Sequence, residues 1–368
     1  MKIYITSLVF ILMCIPSLVF AQELVEDKVE IVRAEVLEVL SETSQNIQGT
    51  SVKNITQSLR IKILKGEQAG QVRDIENDYV ALDAGDTFFL YHRIDALDGR
   101  EFYAVRDIDR TPVILFFVAL FITVIIAFSG KKGLRSLLGL AGSFVVILYV
   151  LIPSLLAGHP PVVTSTLVAT LILFFAIYLT HGFNRISTVA FLGTILAVLL
   201  TALLAYLGVT AARFTGFVSE EAFYLNLNTQ GTLNLAGLLL GGIIIGVLGV
   251  LDDIAITQAA VVRELYHTAP HLSKRTVYKK AVNIGKEHVG ALVNTLALAY
   301  TGASLPLLLL FSSNSVGGSI INQEIFATEI IRTIVGSVGL ILTVPITTFL
   351  AVYMLKNYKG EAHVGHAH

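Results

Sequence analysis

The chain reads as a polytopic α-helical membrane protein of about seven transmembrane helices with a small N-terminal extracytoplasmic β-barrel or β-sandwich domain. Three observations point there. Of its 368 residues, 54% are hydrophobic and only 14% are charged, with a mean hydropathy of +0.74. Beyond residue 111, long apolar runs approach the roughly 20 residues that a bilayer core requires. When those runs are threaded in order, the basic clusters all fall on one side, as the positive-inside rule demands.

Residues 1–21 carry Lys2, an apolar core and then Val19-Phe20-Ala21, the pattern of a cleavable signal peptide. An uncleaved signal anchor is the alternative, and both place the following segment outside the cytoplasm. The one cysteine, Cys14, lies in this segment. A chain lacking it has no thiol for disulfides, iron–sulfur clusters or thiolate metal sites. The net charge of −1 gives no basis for a nucleic-acid partner.

Residues 22–110 form the soluble domain. Leu59, Ile61 and Ile63 alternate with Arg60 and Lys62, and Phe88 and Leu90 alternate in TFFLYHRI. Period two predicts strands with one buried face. Turn signals at Gly66 to Gly70, at Asp83 to Asp86 and at Asp98-Gly99 divide the segment into five or six short strands. Asp107, Asp109 and Arg110 stand just ahead of the first apolar run and read as interfacial anchors.

Residues 111–358 form the membrane domain, with spans near 112–129, 134–153, 162–180, 186–208, 233–262, 289–311 and 330–355. Inward loops carry Lys131, Lys132 and Arg135, then Arg185, then Arg263, Lys274, Arg275, Lys279, Lys280 and Lys286. Outward loops hold His159, then Arg213 with Glu220 and Glu221, then Glu324 and Glu329. This threading places the C-terminus in the cytoplasm. Between spans five and six, Pro270 and Ser273 mark a helix start, and Val277, Ala281 and Ile284 fall on one face among lysines. That is a basic amphipathic helix for anionic lipid or, alternatively, for a cytoplasmic partner.

The stretch that organises the chain is Gly237 to Glu264, in which Asp252 and Asp253 are adjacent. From Leu233 to Val262 no other residue is ionisable, over about 45 Å of helix at ~1.5 Å per residue. One reading has the pair capping a span at the inner surface. The other continues the helix through IAITQAAVV, leaving two carboxylates at depth, where acids are costly and usually mark ion or proton paths. Gly237, Gly241, Gly242, Gly246 and Gly249 give this helix a small face for close helix packing. Asn294, Thr295 and Thr301 are polar groups in the sixth span that need partners, either as interhelical hydrogen bonds or as part of an ion-coupling site with the aspartates. Adjacent residues lie about 100° apart round a helix. Asp253 is therefore expected to face the bundle, with Asp252 pairing with Asn294, Thr295 or the lipid surface.

No HExxH, GxSxG, P-loop or dinucleotide fingerprint is present, and an intramembrane aspartyl protease needs its two acids on separate helices. No enzymatic activity and no cofactor are expected. The tail 359–368 holds His363, His366 and His368, weak metal candidates on a short tract.

LDDIAITQAAVVREL, IGKEHVGALVNTLALAYTGASLPLLLL and the β-rich region ending in RDIDRTP resemble the YibE/F family of multispan bacterial membrane proteins, over about residues 28–355. The resemblance implies a bacterial cytoplasmic-membrane protein with an extracytoplasmic N-terminal domain, and it implies no particular activity. Spans five to seven are also similar to the final three spans of SecD and SecF, proton-driven machines of the resistance-nodulation-division group. That likeness implies an ion-coupling aspartate at Asp252 or Asp253, followed by an Arg-Glu pair here met by Arg263 and Glu264. The doubled aspartate, the small soluble domain and the four preceding spans depart from it. The functional expectation is a proton- or Na⁺-coupled transporter or transport-related protein with an unknown substrate. The alternative is a membrane-anchored envelope binding, sensing or assembly protein without transport.

Overall fold

The computed structural model describes residues 27–46, 53–312 and 320–356. The expected signal peptide or anchor, 1–21, and the expected histidine tail, 359–368, lie outside those residues. The chain divides into two compact units, Met1–Phe121 and Ile122–His368.

In the first unit, β1 (Lys28–Asn46), β2 (Lys53–Ile63), β3 (Val72–Asn77), β4 (Thr87–Ile94) and β5 (Glu101–Ile108) form one antiparallel sheet in the order β3-β2-β1-β4-β5. β1 is 19 residues long. Its first part, Lys28 to Glu35, pairs with β4, and its second, Ala34 to Asn46, pairs with β2. Register shifts between Val36 and Glu38, and between Val39 and Ser41, bulge the strand where it changes partners. Bulges bend and twist a strand, and the sheet curls into a half-barrel. The expected barrel or sandwich is thereby corrected: one long bulged strand lets a single sheet bury its own concave face.

That face holds Val32, Ala34, Val36, Leu59, Ile61, Ile63, Phe88 and Leu90, the alternate positions of three strands. Two buried amides pin the loop that closes it. Gln57 Oε1 accepts from Leu82 N (2.9 Å) and Asn77 Nδ2 (3.0 Å), while Gln57 Nε2 donates to the Leu82 carbonyl (3.0 Å). Leu82 is thus held in the core. At the end of the sheet Asp109 is also buried; it pairs with Arg33, and its Oδ1 accepts from Thr111 N at 3.0 Å. Arg110 donates to Asp107 at 2.6 Å. The hydrogen bonds from Thr111 and the Arg33 charge hold the Asp109 carboxyl below its usual pKa.

The remaining elements are α1 (Thr111–Val146), α2 (Ile152–Leu156), α3 (Pro161–His181), α4 (Arg185–Ala211), α5 (Glu220–Asn228), α6 (Leu235–Thr268), α7 (Lys274–Ala303), α8 (Leu305–Ser312) and α9 (Glu324–Met354). Five stretches are long and apolar enough to cross a membrane: Thr111–Leu156, Pro161–His181, Arg185–Ala211, Leu235–Thr268 and Glu324–Met354. They make this an integral membrane protein.

Three of the seven expected spans differ. Spans 112–129 and 134–153 belong to one stretch, interrupted at Gly130 (φ 54°, ψ −133°) and continued by a π-helical turn at Ile147–Leu151. Only glycine adopts that conformation readily. A Cβ on Gly133 would come within 2.6 Å of the Ile125 carbonyl oxygen. Residues eight apart in a straight helix are separated by about 12 Å, so the chain turns sharply at Gly130. The expected span 289–311 is also no separate helix. Ser273 caps α7, as the sequence suggested, but nothing breaks the helix between Lys286 and Leu292. The basic amphipathic part and the apolar part therefore form one helix, and the break comes at Ser304, ahead of Pro306.

The centre of the bundle is α4, α6 and α9. Along the antiparallel α4/α9 crossing the glycines of one helix receive side chains of the other: Gly193 receives Thr347, Gly339 receives Thr201, and Gly208 receives Ile331. Such contacts replace a hydrophobic drive that lipid does not supply. α6 runs parallel to α9, with Gly336 against Val247 and the Tyr266 hydroxyl donating to the Val352 carbonyl at 3.1 Å. α3 flanks α6 where Gly241 seats Ser165, and α7 packs where Gly285 seats Gln258 and Val344.

Candidate functional site

α6 begins at Asn234, whose side chain accepts from Gly237 N at 2.9 Å, and continues unbroken to Thr268. Asp252 and Asp253 therefore sit near the midpoint of a 34-residue helix, not at its end. Their orientation follows from helical phase. The stripe that α6 turns into the core, formed here by Val247, Leu251, Ile254, Ala255, Gln258 and Val262, is buried. Asp252 flanks that stripe and is half-buried; Asp253 lies a further ~100° round and is exposed. The expectation that Asp253 faces the bundle is reversed: Asp252 is the more enclosed of the two.

Asp253 shares its exposed face with Gly242, Gly246, Gly249, Thr257, Ala260 and Glu264, at helical spacing. This face is flanked by α3 and α7. His181, at the end of α3, and His288, on α7, both act electrostatically on Asp253, and Lys132 acts on His181. The α3 helix ends at His181 because Gly182 takes φ 78°. A carboxylate within electrostatic reach of two imidazoles can exchange protons with them, since imidazole changes charge near neutral pH. Neither histidine was singled out in the sequence. His181 is the last residue of its helix, and His288 follows the lysine-rich first half of α7.

The other expected site residues are distributed as follows. Asn294, Thr295 and Thr301 are all exposed on α7, and Thr295 Oγ1 donates to its own helix, to the Ala291 carbonyl at 3.0 Å. No hydrogen bond joins them to either aspartate among the described residues. Physically, the buried face of α7 carries Val277, Ala281, Gly285, Val289 and Leu296, which turns these three polar positions outward. Arg263 is half-buried and Glu264 exposed. Among the glycines, Gly237 lies against Pro161 and Asn234 and Gly241 against Ser165; a Cβ on Gly246 would meet the Tyr300 hydroxyl at 3.3 Å, and one on Gly242 or Gly249 would meet nothing within 4 Å. Among the described residues no group of three His, Cys, Asp or Glu side chains is arranged to hold a metal ion.

The polar contact that joins α6 to α9 is one the sequence reading passed over. Gln258 is buried, and its Oε1 accepts from the Thr348 hydroxyl at 2.9 Å. Beside it, Thr347 Oγ1 is fully buried and has no hydrogen-bond partner among the described residues.

Long apolar helices, an acidic pair midway along one of them and an antiparallel half-barrel define the class: a multispan integral membrane protein with a small sheet domain. Residues 117–357 match the family model of YibE/F-like proteins, and the chain belongs to that family. No curated protein and no solved structure matches it.

Proposed function

We propose that the protein is a proton- or Na⁺-coupled transporter or transport-related protein, with Asp252 and Asp253 as its ion-coupling acids and His181 and His288 acting electrostatically on Asp253. The observation that carries this reading is the place of the acids. They are the only ionisable residues between Leu233 and Val262 and sit near the midpoint of α6, where a carboxylate usually serves an ion path. The small exposed face around Asp253 offers a surface along which a second element slides. The residue pattern shared with the last three spans of SecD and SecF supports the same reading, with Arg263 and Glu264 in the Arg-Glu positions. The activity is not enzymatic.

In this reading the Gly130 turn separates two spans and the apolar half of α7, with α8, forms a sixth, giving seven. Basic loops then face the cytoplasm of a bacterial cell, and the sheet domain lies outside its cytoplasmic membrane. The test uses the full chain in sealed vesicles with an entrapped pH-sensitive dye. Asp252→Asn and Asp253→Asn each lower proton- or Na⁺-dependent signals at least several-fold; if the double variant leaves every such signal intact, coupling through these acids is wrong.

One observation favours a second reading, a membrane-anchored envelope binding or assembly protein without transport. Asp253, Asn294, Thr295 and Thr301 are all exposed instead of meeting one another. In that reading the half-barrel binds the ligand, and Asp252→Asn and Asp253→Asn are silent.

A further inference from the structure

Between α7 and α9 runs an open groove of about 400 Å³, within the range of cavities that hold small amphiphiles. α7 contributes Val282, Val289 and Val293, and α9 contributes Ile341 and Val344. The one charged lining residue is Lys286. Val282, Lys286, Val289 and Val293 lie on one stripe of α7, four, three and four residues apart. The lysine is thus set into an apolar wall, and among the described residues it makes no ion pair. Lys279 is on the same face two turns earlier and is exposed. Lys274, by contrast, is engaged over the Tyr353 ring at 4.1 Å.

An apolar slot in a membrane helix pair, with unneutralised ammonium groups along one stripe, fits an occupant that is apolar along its length and anionic at its head. We propose that this groove is a binding site for a single anionic phospholipid. One acyl chain lies along the valine stripe between α7 and α9, and the phosphate pairs with Lys286. The floor at Gly290 leaves room for the chain, since a Cβ there would meet nothing within 4 Å. The site is independent of Asp252 and Asp253 and of whether the protein transports anything.

The full chain is exchanged into nanodiscs of phosphatidylcholine containing a minority of phosphatidylglycerol, and bound lipid is counted by native mass spectrometry. The wild type retains one phosphatidylglycerol in preference to phosphatidylcholine by about five-fold, the discrimination one basic residue provides at an anionic surface. Lys286→Gln brings the preference near one, while Gly290→Leu fills the slot and lowers retention of both lipids with unchanged helical content. Lys286 is exposed, so its variant keeps the test valid even if Gly290→Leu fails to fold. Equal retention of the two lipids by the wild type overturns the proposal. So does a wild-type preference that both variants leave intact, or a lipid-free dimer, which would give the groove to a second copy of the chain.

Discussion

The half-barrel and the helical bundle solve the same packing problem in opposite ways. In the sheet, large β-branched, aliphatic and aromatic side chains meet on one concave face, and the buried amides of Gln57 and Asn77 are fully engaged. In the bundle, contact is made where side chains are missing: Gly193, Gly208 and Gly339 receive Thr347, Ile331 and Thr201 across one helix pair. Water drives the first arrangement through apolar burial. Lipid gives the second no such drive, so close backbone approach and hydroxyl back-bonding, as from Thr201 to the Ala197 carbonyl at 2.8 Å, take its place. The difference teaches that the two units respond to opposite substitutions, truncation in one and enlargement in the other.

The sharpest break comes from the sheet. Phe88 is fully buried, and Phe88→Ala destabilises it by about 3–5 kcal/mol. Hydrogen exchange should accelerate across β1 to β5 and leave α4 and α9 protected. The converse is Gly339→Leu, which drives a side chain into Thr201 and costs the α4/α9 pair about 1–3 kcal/mol. Thermal unfolding in detergent reads that loss, and Thr201→Ala in the same chain restores part of it. A smaller effect belongs to Gln258→Leu, which leaves the buried Thr348 hydroxyl unpaired at a cost of about 1 kcal/mol. Adding Thr348→Val should recover most of it in a double-mutant cycle. The mildest is a pH effect. Because the Asp109 pKa is depressed, its contribution to the sheet is fully present above the unfolded value of about 3.9. It is lost as pH falls through the lower folded value. The acid limb of sheet unfolding therefore flattens in Asp109→Asn, while behaviour above about pH 5 is unaltered in slope.

Much of this contrast was legible in the residues. The alternation at Leu59, Ile61 and Ile63 and at Phe88 and Leu90 is local and reads directly as a buried face. The length of β1 was not legible, because its bulges at Val36 to Ser41 break the alternation that marks a strand. In the bundle, composition reveals apolar runs but not where they turn: the basic cluster at Lys131 and Lys132 suggested a loop, whereas one glycine, Gly130, makes the break. The same limit governs the site. The adjacency of Asp252 and Asp253 is plain, but which one faces inward depends on the phase of the whole helix. That phase was available in Leu251, Ala255 and Val262, and would have pointed to Gln258 as the buried polar group. The histidines at 181 and 288 come from distant helices, and only the fold brings them to Asp253.

The account rests on Asp252 and Asp253 lying at membrane depth. With Cys14→Ser as background, single cysteines at 252, 253 and 267 are challenged in intact membranes with a membrane-impermeant maleimide from each side. The account predicts ready labelling at 267 from one side and little at 252 or 253 from either. Labelling of 252 and 253 as fast as 267 would put both acids in open water and contradict it.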